Sequence, residues 1–210
     1  MNEKMRSTIY LIRHGLTEGN VKNWCYGGVD LPLLEEGVQG IVTLAHQGIY
    51  PAGDDANLYT SALQRTKQTF GLIYGDVPYT ELAEFNEFNF GKFEKQAIAE
   101  LERQAEFLAW SGDETGEICA PGGESFNAFK QRVLGGWNTL VNRHRVKELS
   151  HRHSKLPATS IVICHAGVIG AVMEAAFPET ERKLFAWTPD PGRGYKIYLE
   201  NGDVARFDSL

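Results

Sequence analysis

The chain has 210 residues, of which 42% are hydrophobic and 23% are charged, and its formal net charge is −6 at pH 7. This composition is ordinary for a globular protein, and the length suits one α/β domain better than two. The negative charge argues against general binding of nucleic acids and against docking on an anionic membrane. No apolar run approaches the roughly 20 residues that a membrane-spanning helix needs.

The first eight residues are polar and do not resemble a signal peptide. The three cysteines are widely spaced and odd in number, which is typical of reduced thiols rather than of a disulfide framework. We therefore expect a cytoplasmic protein.

Polar residues follow the first predicted strand. That strand, residues 9–12, is short and apolar, and it leads directly into Arg13-His14-Gly15. Open α/β sheets bind ligands at the carboxyl ends of their strands, and glycine lets the backbone turn sharply there. Arg13 offers a rigid fork of donors suited to phosphate, and His14 can act as a nucleophile at neutral pH. Taken alone, the same residues also fit a buried structural histidine.

The next elements alternate between helix and strand. The apolar spacing predicts a helix over Glu35–His46, a strand at residues 58–60, a helix capped by Ser61, and a further strand at residues 77–80. Arg65 would lie near the first turn of the helix after Ser61, where its guanidinium can combine with the helix N-terminus to bind an anion.

Residues 85–123 are predicted to form a small cap inserted over the site, with an amphipathic helix at residues 95–111 and a loop at residues 112–123. Glu87 stands in a stretch whose four phenylalanines fit either the core or a pocket wall: Phe85, Phe88, Phe90 and Phe93. A carboxyl group in such surroundings is favoured in its neutral form, as a general acid requires.

The last third of the chain repeats the pattern of the first strand. Ser125 is predicted to cap a long helix, and a strand at residues 160–164 leads into His165 and then into a helix at residues 167–177. Two strands that each end in a histidine can bring both imidazoles to one crevice.

A hairpin is predicted at the end of the chain, because Asn201-Gly202 separates strand-like residues 195–200 from residues 204–208. The alternation of β and α elements before it implies a mostly parallel sheet covered on both faces. We expect a single domain over residues 1–210, a three-layer α/β/α fold with a mostly parallel central sheet and the cap inserted at about residues 85–123.

Four stretches contain these polar residues: Arg13-His14-Gly15-x-Thr17-x-x-Asn20, Ser61-x-Leu63-x-Arg65-Thr66-x-x-Thr69, Glu87-x-x-x-Gly91-x-x-Glu94 and Cys164-His165-Ala166-Gly167. In this order, and spread over most of the chain, they resemble the histidine phosphatase superfamily, also called phosphoglycerate mutase-like. Each stretch is weak evidence by itself, but the combination is specific.

The resemblance implies a phosphatase that acts on a small phosphate ester and needs no metal or cofactor. His14 would be the nucleophile that forms a phosphohistidine, and Glu87 would be the proton donor. Three residues would hold the phosphoryl oxygens: Arg13, Arg65 and His165. Four more would contribute to substrate binding: Thr17, Asn20, Gly28 and Ala166.

Two positions depart from the family's pattern. Leu16 replaces an acidic residue that often follows the first glycine, and Lys95 replaces the glycine that often follows the position of Glu94. Neither change removes a catalytic group, and both fall where they would affect the rim of the pocket.

The type of reaction is predicted from the cap. Mutases of the family hold the carboxylate of a sugar acid with two adjacent arginines, whereas residues 101–123 contain Arg103 and no such pair. This favours hydrolysis, and residues 122–132 and 187–195 resemble the branch that includes the α-ribazole phosphatases of cobalamin synthesis. The alternatives are a cofactor-dependent phosphoglycerate mutase and a non-catalytic module that binds phosphorylated ligands.

Other reactive residues have simpler interpretations. A cysteine phosphatase is excluded because no arginine lies at the sixth position after any cysteine. Cys164 could be a redox-sensitive thiol, but a buried strand cysteine is favoured. His144, His151 and His153 lie in a basic run that could bind a metal through the last two, but a solvated helix end and loop is favoured.

Overall fold

A computed structural model describes residues 6–151 and 157–210, so the leading polar residues 1–5 and His153 lie outside the described part. The strands are β1 (Arg6–Arg13), β2 (Trp24–Cys25), β3 (Ala56–Thr60), β4 (Thr80–Glu81), β5 (Gln96–Ala97), β6 (Thr159–Cys164), β7 (Gly194–Glu200) and β8 (Asp203–Ser209). The α-helices are α1 (Glu18–Val21), α2 (Glu35–His46), α3 (Gln64–Tyr74), α4 (Ile98–Leu101), α5 (Ala105–Ser111), α6 (Phe126–Ser150) and α7 (Ala166–Ala176). Turns of 3₁₀ helix occupy Ala83–Phe85, Gly91–Phe93, Pro178–Thr180 and Leu184–Trp187.

The centre of the fold is a six-stranded sheet in the order β4-β3-β6-β1-β7-β8. β4, β3, β6 and β1 are parallel to one another, whereas β7 and β8 extend the sheet in antiparallel pairing. The predicted mostly parallel sheet is therefore confirmed. β2 and β5 pair separately as a two-stranded ladder.

Both faces of the central strands are buried. Ile9 and Leu11 of β1 belong to the core cluster that also contains side chains of α6 and α7. Ile12 points to the other face, where it joins a second cluster with Phe70 of α3, and α2 packs against α3. This alternation places one helical layer on each side of the sheet, which confirms the three-layer α/β/α prediction.

Two local predictions, the N-terminal cap of α6 and the hairpin between β7 and β8, are confirmed. The Ser125 hydroxyl accepts a hydrogen bond from the Ala128 N–H at 3.1 Å and so caps α6. Asn201 and Gly202 both have positive φ, at 56° and 85°, and they join β7 to β8 as a tight hairpin.

Two predicted elements are shorter than the sequence pattern indicated. Within residues 95–111, residues 96–97 pair with β2, and the helical part is divided into α4 and α5 because the backbone of Gln104 is extended. The strand predicted at residues 77–80 is confined to Thr80–Glu81, which pairs with the end of β3.

The predicted cap at Ser61 is wrong. α3 begins at Gln64 with Leu63 at its N-cap position. The Ser61 hydroxyl instead lies 2.8 Å from Nε2 of His165. The Ser61 side chain, which the local pattern assigned to a helix cap, therefore forms a long-range hydrogen bond with the histidine that follows β6.

The expectation of a solvated helix end is wrong for His144. This residue of α6 is fully buried, and its Nδ1 and Nε2 lie 2.8 Å from Ser160 Oγ and 2.9 Å from Ser7 Oγ. The Ser7 hydroxyl also donates to the Glu148 carboxylate. We call these four residues the amino-end cluster, because Ser7 and Ser160 lie at the amino ends of β1 and β6.

The three cysteines are not paired with one another, and Cys25 and Cys164 are buried whereas Cys119 is exposed. Burial raises the pKa of both buried thiols, that of Cys25 to about 12. The interpretation of Cys164 as a buried strand cysteine is confirmed. In the described part of the chain, no helix is both long and apolar enough to cross a bilayer.

Candidate active site

Two histidines meet at one edge of the sheet. β1 and β6 are adjacent and parallel, with Arg13 opposite Cys164, so His14 and His165 leave the sheet side by side. Their ring centroids lie 5.2 Å apart. The structure thus brings both imidazoles into one crevice, as the strand pattern predicts.

His14 has the properties of a neutral nucleophile. Its Nδ1 lies 2.7 Å from the Gly15 carbonyl oxygen, which can only accept, so Nδ1 carries the proton and Nε2 keeps its lone pair. The pKa of His14 is held well below its usual value by burial and then by the positive charges of Arg65 and Arg13. The ring lines a cavity of about 600 Å³.

His165 is fully buried and has a protein partner at each ring nitrogen. Nδ1 accepts a hydrogen bond from Arg65 Nε at 3.2 Å, so Nε2 carries the proton and donates to Ser61 Oγ at 2.8 Å. Burial, followed by the charge of Arg65, lowers the pKa of His165 well below its usual value. In this geometry His165 is directed at Arg65 rather than at the cavity.

Arg13 and Arg65 are the cationic side chains that line the cavity within the described residues. Arg65, in the first turn of α3, is fixed by bonds from Nη1 to the Val29 carbonyl at 2.9 Å and from Nη2 to the Gly27 carbonyl at 2.8 Å. Arg13 Nη1 donates to the Pro189 carbonyl at 2.7 Å, while its buried Nε has no hydrogen-bond partner in the described part of the chain. A buried donor of this kind favours an anionic ligand beside it.

Glu87 faces the same cavity, and its carboxyl group is held by two backbone N–H donors. Its Oε2 accepts from the Gly167 N–H at 2.9 Å at the start of α7, and its Oε1 accepts from the Phe88 N–H at 3.0 Å. These two N–H donors hold the carboxyl group of Glu87 beside the N-terminus of α7. A Cβ at position 167 would collide with the carboxylate, so glycine is needed for this approach.

The four predicted substrate-binding residues have different positions. Asn20 and Ala166 line the cavity. Thr17 is fully buried, and its N–H donates to Asn20 Oδ1 at 3.0 Å, which leaves the Asn20 amide nitrogen available to the cavity. Gly28 does not line the main cavity. Its N–H donates to the Glu94 carboxylate at 2.8 Å, and the residue lines a smaller neighbouring cavity.

The wall of the main cavity away from Arg13 and Arg65 is rich in aromatic side chains. Of the four phenylalanines near Glu87, Phe88 and Phe90 line the cavity, whereas Phe85 and Phe93 are buried in the core. Further aromatic rings come from several elements: Trp24, Tyr26, Phe107, Trp110, Phe126, Phe129 and Phe185. Among residues 6–151 and 157–210, no group of three or more His, Cys, Asp or Glu side chains is arranged to hold a metal ion.

The sequence motif that includes Glu94 predicted no role for this side chain. In the structure its carboxylate accepts hydrogen bonds from four backbone N–H groups: Gly27, Gly28, Val29 and Phe90. The same loop supplies the two carbonyls that hold Arg65, so Glu94 supports that guanidinium indirectly. No local pattern marks such a role, because all four donors are backbone groups.

An α/β sheet that brings one histidine and two arginines to a cavity, with a second histidine packed beside them, is the arrangement expected of an enzyme that transfers phosphoryl groups. A comparison of the chain with known protein families agrees with this interpretation. The chain belongs to the histidine phosphatase superfamily, because the model of branch 1 of that superfamily matches residues 9–205. The protein is therefore a phosphatase, as its motifs predicted.

Individual relatives and solved structures are also similar to this chain. The adenosylcobalamin/alpha-ribazole phosphatase of Escherichia coli (strain K12) is 30% identical over 188 residues, which are 88% of this chain and 86% of that protein. The protein of the same name from Salmonella typhimurium (strain LT2) is 36% identical over 129 residues, and the match spans 60% of this chain and 62% of that protein. The crystal structure of phosphoglycerate mutase from Bacillus anthracis has a TM-score of 0.73 at 18% identity, covering 99% of this chain and 93% of that one, and shows the shared fold.

Proposed function

We propose that the protein hydrolyses a small phosphate monoester through a phosphohistidine formed on His14. The observation that carries this proposal is the state of His14, a neutral imidazole whose Nε2 lone pair lies beside two guanidinium groups at a cavity. A phosphate monoester repels an anionic nucleophile, whereas neutral imidazole attacks without that penalty. The Gly15 carbonyl then stabilises the positive charge that develops on the phosphorylated ring.

In the first step the Nε2 lone pair of His14 forms the bond to phosphorus while the bond from phosphorus to the alcohol oxygen breaks. Glu87, protonated, gives its proton to that leaving oxygen. In the second step the Glu87 carboxylate takes a proton from water, the water oxygen attacks phosphorus, and the phosphorus–nitrogen bond breaks. Inorganic phosphate leaves, and both side chains return to their starting states.

The remaining polar residues hold the phosphoryl group. Arg13 and Arg65 stabilise the negative charge on its oxygens through charge-assisted hydrogen bonds, and Asn20 adds an amide donor from the rim. His165 fixes Arg65 by accepting a hydrogen bond from its Nε at 3.2 Å, and so supports phosphoryl binding indirectly.

The cavity supports an ester whose alcohol is bulky, uncharged and aromatic. Its walls are mainly apolar and rich in aromatic side chains, and within the described residues its cations are the two arginines assigned to the phosphoryl group. A second anion, such as the carboxylate of a sugar acid, would enter without a positive partner. This favours hydrolysis of an α-ribazole phosphate-like compound over the mutase reaction. The relatives include both adenosylcobalamin/alpha-ribazole phosphatases and 2,3-bisphosphoglycerate-dependent phosphoglycerate mutases, so the cavity lining carries the preference. The unpaired thiols support a cytoplasmic location.

The test of the phosphohistidine is to mix the protein with p-nitrophenyl phosphate, quench with base, and locate the phosphate by mass spectrometry. We expect one acid-labile phosphate on His14 and none in the His14→Ala variant. Phosphate on a different residue, or full turnover in that variant, would contradict the mechanism. A protein that binds the compound and releases no nitrophenol would instead be the non-catalytic module.

The substrate class has its own test. We expect kcat/KM for α-ribazole phosphate to exceed that for 3-phosphoglycerate by about 10²-fold or more, since an unpaired charge in an apolar pocket is costly. Conversion of 3-phosphoglycerate to 2-phosphoglycerate in the presence of a bisphosphate primer would instead identify a mutase.

A further inference from the structure

Glu87 lies on an irregular segment between two 3₁₀ turns, Ala83–Phe85 and Gly91–Phe93. Proton transfer requires that its carboxyl group be held at hydrogen-bond distance from the leaving oxygen, and a regular helix or strand is not present to hold it. The side chain that reaches this segment from the opposite side is Arg132 of α6. Arg132 does not line the main cavity, but with Glu87 it lines the smaller cavity of about 400 Å³ behind it.

All five N–H donors of Arg132 are used locally. Nη1 donates to the carbonyls of Glu84 at 2.8 Å and Asn86 at 2.9 Å, and Nη2 lies 3.5 Å from the carbonyl of Glu87 itself. The two remaining donors bind the Glu124 carboxylate, from Nη2 at 2.7 Å and from Nε at 3.0 Å.

Glu124 connects Arg132 to the backbone that follows Glu87 in the chain. Its Oε1 accepts from the Asn89 N–H at 2.8 Å, and its own N–H donates to the Asn89 carbonyl at 2.9 Å. The arginine and the glutamate therefore hold backbone groups both before and after position 87. Both side chains are largely shielded from solvent, with exposed fractions of 28% and 19%.

We propose that Arg132 and Glu124 act as a positioning pair that fixes Glu87 for proton transfer to the leaving group. The proposal rests on the role of Glu87 in the proposed function. Arginine is needed because its planar fork supplies five donors in fixed directions, whereas lysine has three donors on a flexible stem. Loss of the fork would let the segment move, and a displacement of about 1 Å at a catalytic group can cost about 10²-fold in rate.

The chain offers a matched control on the same helix. Lys130 forms an ion pair with Glu174 of α7 at 2.7 Å, and it lies two residues before Arg132. The Lys130→Met change removes a cation from α6 without touching the Glu87 segment, so it reports the general cost of losing a salt bridge on this helix.

The experiment compares kcat/KM for two esters of similar size, p-nitrophenyl phosphate and 2-phenylethyl phosphate. The first has a good leaving group that needs little protonation, whereas the second leaves as an alkoxide and depends on the acid. This ratio isolates the bond-breaking step, because kcat/KM excludes the later hydrolysis of the phosphohistidine. A merely structural role would lower both values by the same factor.

We expect Arg132→Met to lower kcat/KM for 2-phenylethyl phosphate by about 10- to 100-fold and to leave the value for p-nitrophenyl phosphate within about threefold. Arg132→Lys is expected to lose most of the same factor, and Lys130→Met is expected to match wild type. Adding Arg132→Met to Glu87→Gln should cause no further selective loss, because the acid is already absent.

Equal losses on both esters, additive losses in the double variant, or full activity in Arg132→Lys would overturn the positioning role. If Arg132→Met does not fold, as judged by its thermal midpoint, Glu124→Gln gives the same test and should show the selective loss. A Glu87→Gln variant without selective loss would instead refute the proposed proton donor, so the two failures are distinguishable.

Discussion

The two ends of β1 and β6 each carry a buried histidine network, and only one of them has the properties of a reaction site. At the amino ends, His144 binds Ser7 and Ser160 between α6 and the sheet. At the carboxyl ends, His14 and His165 lie beside two guanidinium groups at a cavity of about 600 Å³. Burial lowers the pKa of the histidines at both ends.

These two networks show that a buried histidine with a shifted pKa is not by itself evidence of a catalytic group. At the amino ends both ring nitrogens are satisfied by serine hydroxyls, so the histidine serves packing and hydrogen bonding. At the carboxyl ends one nitrogen of His14 stays available, and the neighbouring cations give an anion a reason to bind. Access and complementary charge make the difference.

The largest effect should come from His14→Ala. Removing the nucleophile should lower kcat for p-nitrophenyl phosphate by at least about 10⁴-fold. The matched change at the other end of the strands, His144→Gln, should leave kcat within about twofold, because the amino-end cluster does not contact the cavity. Substantial turnover in the first variant, measured by nitrophenol release, would remove the proposed distinction between the two networks.

Arg65→Lys should give the next largest effect. Lysine keeps the charge but cannot maintain the bonds to the two loop carbonyls and His165 while also binding a phosphoryl oxygen. We expect kcat/KM to fall by about 10²–10³-fold, as for the loss of one preorganised donor. Steady-state kinetics measure the fall, and inhibition by inorganic phosphate should weaken in parallel. An unchanged inhibition constant would argue against direct phosphate binding.

The amino-end cluster should determine part of the pH dependence of stability. Burial lowers the pKa of His144 to about 4, whereas in the unfolded chain it returns to its ordinary value of 6.5. The unfolded state thus binds the extra proton between these values, so stability is lost as the pH falls from 6.5 toward 4. The contribution is about 3 kcal/mol of unfolding free energy.

Urea denaturation at several pH values measures this contribution. His14 and His165 shift in the same direction, so the deciding quantity is the difference between wild type and His144→Gln. The variant should lose less stability than wild type on acidification. Parallel curves for the two proteins would contradict the assignment to His144.

The smallest effect should come from Lys95, whose backbone has a φ of 61°. This left-handed conformation is unfavourable for a residue with a Cβ and suits glycine, the residue that the family resemblance leads us to expect at this position. After the entropy cost of glycine, Lys95→Gly should stabilise the protein by about 0.5 kcal/mol. Chemical denaturation measures whether the free energy of unfolding rises or falls. A loss of stability would show that the lysine side chain contributes more than its left-handed backbone conformation costs.

Much of the architecture could be predicted because the relevant signals are local. The apolar residues of β1 and β6, the cap at Ser125 and the Asn201-Gly202 turn act within a few residues, and each prediction is confirmed. The prediction of one helix over residues 95–111 is wrong, because residues 96–97 form a strand that pairs with β2, which is distant in the sequence.

The order of residues along the chain was enough to determine which two histidines meet at one edge of the sheet. His14 and His165 directly follow strands of one parallel sheet, so their convergence follows from topology. The choice of hydrogen-bond partners was decided only by the tertiary structure. Ser61 binds His165 instead of capping α3, His144 is buried between α6 and the sheet, and Arg132 holds the segment of Glu87. Each of these bonds joins groups far apart in the chain, and a buried donor takes whichever acceptor the packing brings within reach.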